Sequence, residues 1–363
     1  MVERSEKGAH TLREIRSQAD SWEAVFPEID RKKDRLFDLV SGADEIVCAG
    51  CGSAFNASHS VAPFFQRVSG KSCRAVHSSD LATNPDLFLR KKGKTLAIVF
   101  SRSGDTTESV LALRKAKSLG CSAISVVCFG TSAMAREADA AVILEDAAEK
   151  SVVTTRSLTS MVLAGYYLAA ASGDDKGSCA GLRKLPGIGR ANIARFEELG
   201  RSVGANVDIR KYAFLGSGTC YGLAREAQLK IKEMVLLPSD SYVSLDFQHG
   251  PMSNVDGGML VTVFVTDAGR MFEREIVENM KALGGRLFVI CDRDGGDFSG
   301  KADHLLELGT GLGDGVRDIL AMPALQFMAY GRSLSVGCDP DNPRNLSYYV
   351  TVKGTGGIGA NGA

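Results

Sequence analysis

Short, nearly continuous apolar runs alternate along this chain with longer stretches in which apolar residues recur every three or four positions. Thr95-Leu96-Ala97-Ile98-Val99-Phe100 is the clearest run of the first kind. A run with no polar face suits a strand of a parallel sheet covered on both sides. It leads into Ser101-Arg102-Ser103-Gly104-Asp105-Thr106-Thr107-Glu108, after which Val110, Leu111, Leu113 and Leu119 fall at helical spacing before Gly120. This predicts a helix over 108–119. Further strands are predicted over 45–49 and 123–129, the former ending in Gly50-Cys51-Gly52-Ser53 with a helix to follow.

The same plan recurs about 165 residues later, roughly one domain length. Tyr212-Ala213-Phe214-Leu215 leads to Gly216-Ser217-Gly218-Thr219 and a long helical pattern; 260–265 leads to Thr266-Asp267-Ala268-Gly269-Arg270; a strand over 286–290 follows. Three strand-turn units in one order argue for internal duplication and an α/β architecture. The expected divisions are an N-terminal helical extension over 1–34, a first domain over 35–180, a second over 195–340 and a tail over 341–363. Ser172-Gly173-Asp174-Asp175-Lys176-Gly177 and Leu185-Pro186-Gly187-Ile188-Gly189 read as breaks in the helical pattern and place the boundary near mid-chain. Trp22, Val25 and Phe26 suit a short helix packed against the first domain. A helix is read over 325–330, and the turn-rich stretch from Asp339 to Leu346 suits either a segment closing over a cleft or a surface tail. The glycine-rich 354–359 is expected to be flexible.

The hydroxyls of Ser101, Ser103, Thr106 and Thr107, beside a glycine and ahead of a helix, have the chemistry of a phosphate cradle. A helix cap without a ligand is the alternative. The second half carries Thr266-Asp267-Ala268-Gly269-Arg270 at the matching place and has lost most of these hydroxyls, so phosphate binding is placed in the first half. On the helix read over 221–233, Glu226, Lys230 and Glu233 share a face. That face suits a base with an orienting cation, or a solvated ladder of ion pairs. His249, in Phe247-Gln248-His249-Gly250-Pro251-Met252, is a loop histidine, suited to proton movement near neutrality or to a structural role. His10, His59, His77 and His304 have weaker contexts and receive no catalytic role.

Charge narrows the partners: Lys+Arg and Asp+Glu both number 43 in 363 residues, so nothing global favours nucleic acid or an anionic membrane. No apolar segment approaches the roughly 18 residues of a membrane span, and the polar start lacks a signal-peptide core, so the cytoplasm is expected. Nine scattered cysteines, several within apparent strands, suggest reduced buried thiols. The lone Cys48-Ala49-Gly50-Cys51 pair reads as packing and turn structure rather than redox machinery. Five histidines without metal-ligand spacing argue against a structural zinc, and no cofactor is expected.

Together these motifs resemble the tandem sugar isomerase (SIS) domain family over about 29–353. They are most similar to the isomerase half of glutamine-fructose-6-phosphate aminotransferase and to stand-alone phosphosugar isomerase/deaminase proteins for tagatose or galactosamine 6-phosphate. The resemblance implies two SIS domains, each a three-layer sandwich around a mainly parallel sheet. It implies phosphate contacts from Ser101, Ser103 and Thr106, with Arg102 of the same loop and nearby Ser53 as further substrate- or phosphate-binding residues. Glu149-Lys150-Ser151-Val152-Val153-Thr154-Thr155-Arg156-Ser157 is similar to the family's next substrate loop; Thr154 keeps the hydroxyl of the motif's serine, and Arg156 stands where the motif has lysine. Glu233 corresponds to the catalytic glutamate, with Lys230 and Glu226 as accompanying catalytic and substrate-binding candidates. His249 corresponds to the histidine that assists ring opening and comes from the neighbouring subunit, which implies a homodimer with active sites at the subunit interface. One departure is Tyr348, which occupies the place of the aminotransferase motif's substrate-binding lysine and has no amine for a Schiff base. No cysteine-led glutaminase domain precedes the first repeat, so glutamine hydrolysis is not expected. The implied activity is isomerisation of a sugar phosphate, with deamination if C2 bears an amino group and without it if C2 bears a hydroxyl. A phosphosugar-sensing module without turnover is the alternative of a different class.

Overall fold

The computed structural model describes residues 7–90 and 93–352; Lys353 and the glycine-rich 354–359 lie outside the described residues. Strands β1 (Glu45–Gly50), β2 (Ser72–His77), β3 (Thr95–Ser101), β4 (Ser122–Val127) and β5 (Ala140–Ile143) form a parallel sheet in the order β2-β1-β3-β4-β5. Strands β6 (Lys211–Leu215), β7 (Ser239–Tyr242), β8 (Met259–Phe264), β9 (Arg286–Cys291) and β10 (His304–Glu307) repeat that order as β7-β6-β8-β9-β10, again parallel throughout. The duplication extends to single dihedral angles. Gly52, after β1, has φ 54° and ψ −127°, and Gly218, after β6, has φ 57° and ψ −124°. Side chains cannot follow the backbone there, so both turns demand glycine.

Helices cover both faces of each sheet, which explains the unbroken apolar runs. Val47, Ala49, Ala97 and Val99 pack with Val110 and Leu113 of the helix Thr107–Ser118. Their neighbours Ile46, Cys48, Leu96 and Ile98, pointing to the opposite face, are equally buried. In the second sheet Ala213, Leu215, Val261 and Val263 pack with Ile276 and Val277 of the helix Arg270–Ala282. All nine cysteines are free thiols, and Cys48 lies 3.8 Å, sulfur to sulfur, from Cys73 on the adjacent strand. Among the described residues no helix is long and apolar enough to cross a membrane.

The chain divides into two units, neither continuous in sequence. One gathers Gln18–Glu149, Arg156–Arg183 and the tail from Ser347, and so holds the first sheet. The other gathers the N-terminal segment to Ser17, Lys150–Thr155 and Lys184–Leu346, and holds the second. The helix Gln18–Arg31 buries Trp22, Val25 and Phe26 within the first-sheet unit. The helix Ala9–Arg16 belongs to the second-sheet unit, where the Asp341 carboxylate accepts the Thr11 N–H and hydroxyl, each at 2.7 Å, and the His10 N–H at 3.0 Å.

One sequence expectation is corrected. Leu185-Pro186-Gly187-Ile188-Gly189 is not a break but the first turn of the helix Leu185–Gly204. Pro186 is tolerated there because N–H groups of a first helical turn have no intrahelical acceptor. The glycines further along this helix are contact surface. A Cβ on Gly200 would lie 2.3 Å from the Ala324 carbonyl oxygen, and one on Gly204 2.3 Å from that of Met328, both on the helix Met322–Ser335. Gly204→Ala is therefore expected to lower stability by about 1–3 kcal/mol. Gly187→Ala, on the same helix with open space around it, is expected to be neutral or stabilising by up to about 1 kcal/mol. Urea denaturation of the two variants checks the contrast.

Candidate active site

In a parallel sheet of this order, the loops after the first and third strands leave in opposite directions and open a crevice at the strands' carboxyl ends. In the first sheet those loops carry Ser53, which opens the helix Ser53–Ser69 after β1, and Ser101 to Thr106, which follow β3. The Ser101 hydroxyl accepts the Gly104 N–H at 3.1 Å, and the Ser103 hydroxyl accepts the Asp105 N–H at 3.1 Å. Thr106 Oγ1 lies 3.4 Å from Ser101 Oγ and 3.3 Å from Ser103 Oγ. Three hydroxyls thus meet at the start of the helix Thr107–Ser118, and the Thr106 side chain does not cap that helix. Pooled hydroxyl donors at a positive helix end match the requirements of a phosphate. Asp105 is turned aside and accepts the Ala133 N–H at 2.8 Å.

Arg102 sits in the same loop but carries its charge elsewhere. Its guanidinium, 8% exposed, lies 3.3 Å from the Glu149 carboxylate, which is fully buried. It also donates to the Tyr348 carbonyl at 2.7 Å. Glu149 accepts the Ser157 N–H at 3.2 Å and its hydroxyl as well. Arg156 donates to the Ala148 carbonyl. Sequence reasoning does not single out Glu149, because nothing local marks a carboxylate whose partner lies 47 residues away.

The second-sheet unit holds the charged cluster. Lys230 Nζ lies 3.0 Å from Glu226 Oε1 and 2.6 Å from Glu233 Oε2, and donates to the Thr154 carbonyl at 3.0 Å. Lys230 and Glu226 are completely buried, and the Glu233 side chain is 20% exposed. This is not the solvated ladder that the spacing also allowed. Burial alone would lower the Lys230 pKa, but Glu226 and Glu233 raise it above its ordinary value, so the ammonium stays charged. The helix Thr219–Lys230 gives way at Ile231–Val235 to a π turn that contains Glu233 and ends at Leu236, whose φ is 62°. Such turns are frequent at functional sites, and here one carries the partly exposed carboxylate.

His249 follows the 3-10 helix Leu245–Gln248, is exposed, and stands beside Gly250 with φ 126°. Its ring has no hydrogen-bond partner among the described residues. The structure thus brings together Ser101, Ser103 and Thr106 in one unit, and Glu226, Lys230, Glu233 and Thr154 in the other; His249 is joined to neither set.

The matching crevice of the second sheet is filled by the chain itself. The N–H groups of Asp267 and Ala268 donate to the Asp314 carboxylate at 2.9 and 3.3 Å, and the Thr219 hydroxyl donates to Asp318 at 2.6 Å. Arg317, 4% exposed, bridges Asp314 at 2.6 Å and Asp267 at 2.7 Å. The space left among Cys220, Phe264, Arg317 and Asp318 is about 10 Å³, too small for a sugar. Glu273, one turn into the next helix, accepts the Thr266 N–H at 2.7 Å, and burial pushes its carboxyl up to about 7. A concavity of about 400 Å³ between Gln18–Arg31 and residues 143–147 gathers none of the candidate residues.

Comparison with known proteins follows the duplication. The SIS domain family model matches residues 39–171 and 207–331. A glutamine–fructose-6-phosphate aminotransferase [isomerizing] of Vibrio parahaemolyticus is 29% identical over 328 residues, covering 87% of this chain and 53% of the relative. The chain thus spans about half the length of the curated relatives it matches. Among solved structures, the tagatose-6-phosphate ketose/aldose isomerase of Escherichia coli superposes with a TM-score of 0.83 at 25% identity, covering 92% of this chain and 95% of that one. Glucosamine-6-phosphate deaminase of Thermotoga maritima gives 0.76 at 23% identity, covering 95% and 100%.

Two measurements check the electrostatics. Lys230→Met leaves the buried Glu226 carboxylate and the partly exposed Glu233 carboxylate without their shared cation and is expected to cost about 3–5 kcal/mol, part of which returns in the Glu226→Gln/Lys230→Met double variant. Folded Glu273 keeps its proton up to about 7, whereas the unfolded side chain loses it near pH ~4.3. Its contribution to stability therefore falls as pH rises through that window. Glu273→Gln is expected to reduce the loss of stability between pH 5 and 8 by about 1–3 kcal/mol, read by urea denaturation at both pH values.

Proposed function

Because this chain belongs to the SIS domain family, we propose that it is a phosphosugar isomerase that deaminates a 2-amino-2-deoxyhexose 6-phosphate to a ketohexose 6-phosphate and ammonia. The observation that carries this reading is the buried Glu226-Lys230-Glu233 chain, which ends in one partly exposed carboxylate on a π turn. A carboxylate fixed by a buried ammonium is suited to moving a proton between adjacent carbons.

In this reading Ser101, Ser103, Thr106 and Ser53 hold the phosphate. His249, supplied by the partner subunit of a homodimer, moves the proton that opens the sugar ring; exposed Val243 and Leu245 beside it offer apolar contact area. Glu233 removes the C2 proton of the open aldose, giving an enolamine, and returns it to C1. The C2 imine takes up water and releases ammonia. Thr154 and Arg156 belong to the substrate loop, and Tyr348 offers no amine for a Schiff base at its position. No step calls for a redox cofactor. A second reading, isomerisation without deamination, uses the same proton transfer on a C2 hydroxyl and is supported by the likeness to the tagatose-6-phosphate isomerase.

Incubation with glucosamine, galactosamine, glucose and galactose 6-phosphates, followed by proton and phosphorus NMR with an ammonia assay, separates the readings. Ketose with ammonia is expected; ketose without ammonia supports the second reading; perturbed phosphate signals without product would mark a sensor and overturn both. Glu233→Gln is expected to lower kcat by at least about 100-fold while phosphate binding persists. Ser101→Ala/Ser103→Ala is expected to act mainly on KM.

A further inference from the structure

Three stretches of the first-sheet unit meet at Arg102. The guanidinium carbon lies 4.0 Å from the centroid of the Tyr348 ring, one nitrogen donates to the Tyr348 carbonyl at 2.7 Å, and another lies 3.3 Å from Glu149. The Tyr348 hydroxyl donates to the Glu149 carbonyl at 2.9 Å. Two residues on, Val350 accepts the Thr107 N–H at 3.3 Å, and the Val352 N–H donates to Thr107 Oγ1 at 3.1 Å. Residues 348–352 therefore run along the hydroxyl loop and engage it at both ends, through Arg102 and through the first residue of its helix.

Stacking of a guanidinium on an aromatic face is favourable because the ring presents negative charge to the cation. A lysine at 348 would reverse this. Its ammonium would approach a guanidinium that is almost fully buried, with Glu149 as the carboxylate at hand, itself already bonded to Ser157. Like charges at such range and burial repel strongly.

We propose that Arg102 and Tyr348 form a matched pair in which Arg102 is a positioning residue that seats the tail on the hydroxyl loop, and that the pair disfavours lysine at position 348. Arg102 then acts through the tail and not as a ligand of the phosphate. The consequence for turnover rests on the isomerase reading; the seating of the tail does not.

The test compares the full chain with Arg102→Gln, Tyr348→Lys, Tyr348→Phe and the Arg102→Gln/Tyr348→Lys double variant. Hydrogen exchange of 347–352 needs no turnover. Arg102→Gln and Tyr348→Lys are each expected to speed that exchange about tenfold, while Tyr348→Phe, which keeps the ring, changes it less than about threefold. For turnover, Arg102→Gln is expected to lower kcat more than it raises KM, and the double variant is expected to lose less kcat/KM than the product of the two single losses. Unchanged exchange in Arg102→Gln, strictly multiplicative losses, or an effect confined to KM would overturn the pairing. Absence of turnover in the parent chain would overturn the isomerase reading while the exchange result still decides the seating.

Discussion

The reversal of strand order beside the first strand of each sheet is the constraint on which the rest depends. It makes the loops after β1 and β3, and again after β6 and β8, diverge over the carboxyl ends of the strands. Backbone N–H groups and hydroxyls converge on such a gap, and buried polar groups need partners. The two repeats answer differently. In the second, Asp314 and Asp318 supply carboxylates from within the chain, with Arg317 balancing their charge. In the first, Ser101, Ser103 and Thr106 face one another at a helix start that the Thr106 side chain leaves uncapped. Duplication provides two crevices of one design, and different side chains enter them: a cluster of hydroxyls in the first repeat, an internal network of Asp and Arg in the second.

Much of this is legible from local pattern because the central strands are apolar on both faces. β1, β3, β4, β6, β8 and β9 are each anticipated to within one or two residues at either end. The strands with no sequence prediction, β2, β5, β7 and β10, are the four sheet edges. Edge strands are covered less completely, and Ser72-Cys73-Arg74-Ala75-Val76-His77 or Ser239-Asp240-Ser241-Tyr242 carries no apolar run to detect. Leu185-Pro186-Gly187-Ile188-Gly189 misleads for a different reason: proline and glycine suggest a break, but the first turn tolerates the proline and close contact with a neighbouring helix accounts for glycines at 200 and 204.

At the candidate site, spacing places Glu226, Lys230 and Glu233 on one helix face but cannot distinguish a buried chain of charges from a solvated one. Burial decides it, and that follows from which elements pack around the helix rather than from its own sequence. The π turn that carries Glu233 is equally invisible to a helical period. Glu149, Asp314 and Asp318 escape sequence reasoning because their partners are distant in the chain or, for Asp314 and Asp318, lie within a loop whose role appears only beside its counterpart. His249 shows the converse: its loop setting is legible, and the structure places it exposed after a 3-10 helix, as that setting suggests.

The division of labour between the repeats is tested most directly by calorimetric titration of the whole protein with a hexose 6-phosphate, in the parent chain and in Ser101→Ala/Ser103→Ala. One site per chain, lost or severely weakened in the variant, is the predicted result. Two sites per chain, or binding that survives the variant intact, would contradict the assignment of the phosphate seat to the first repeat.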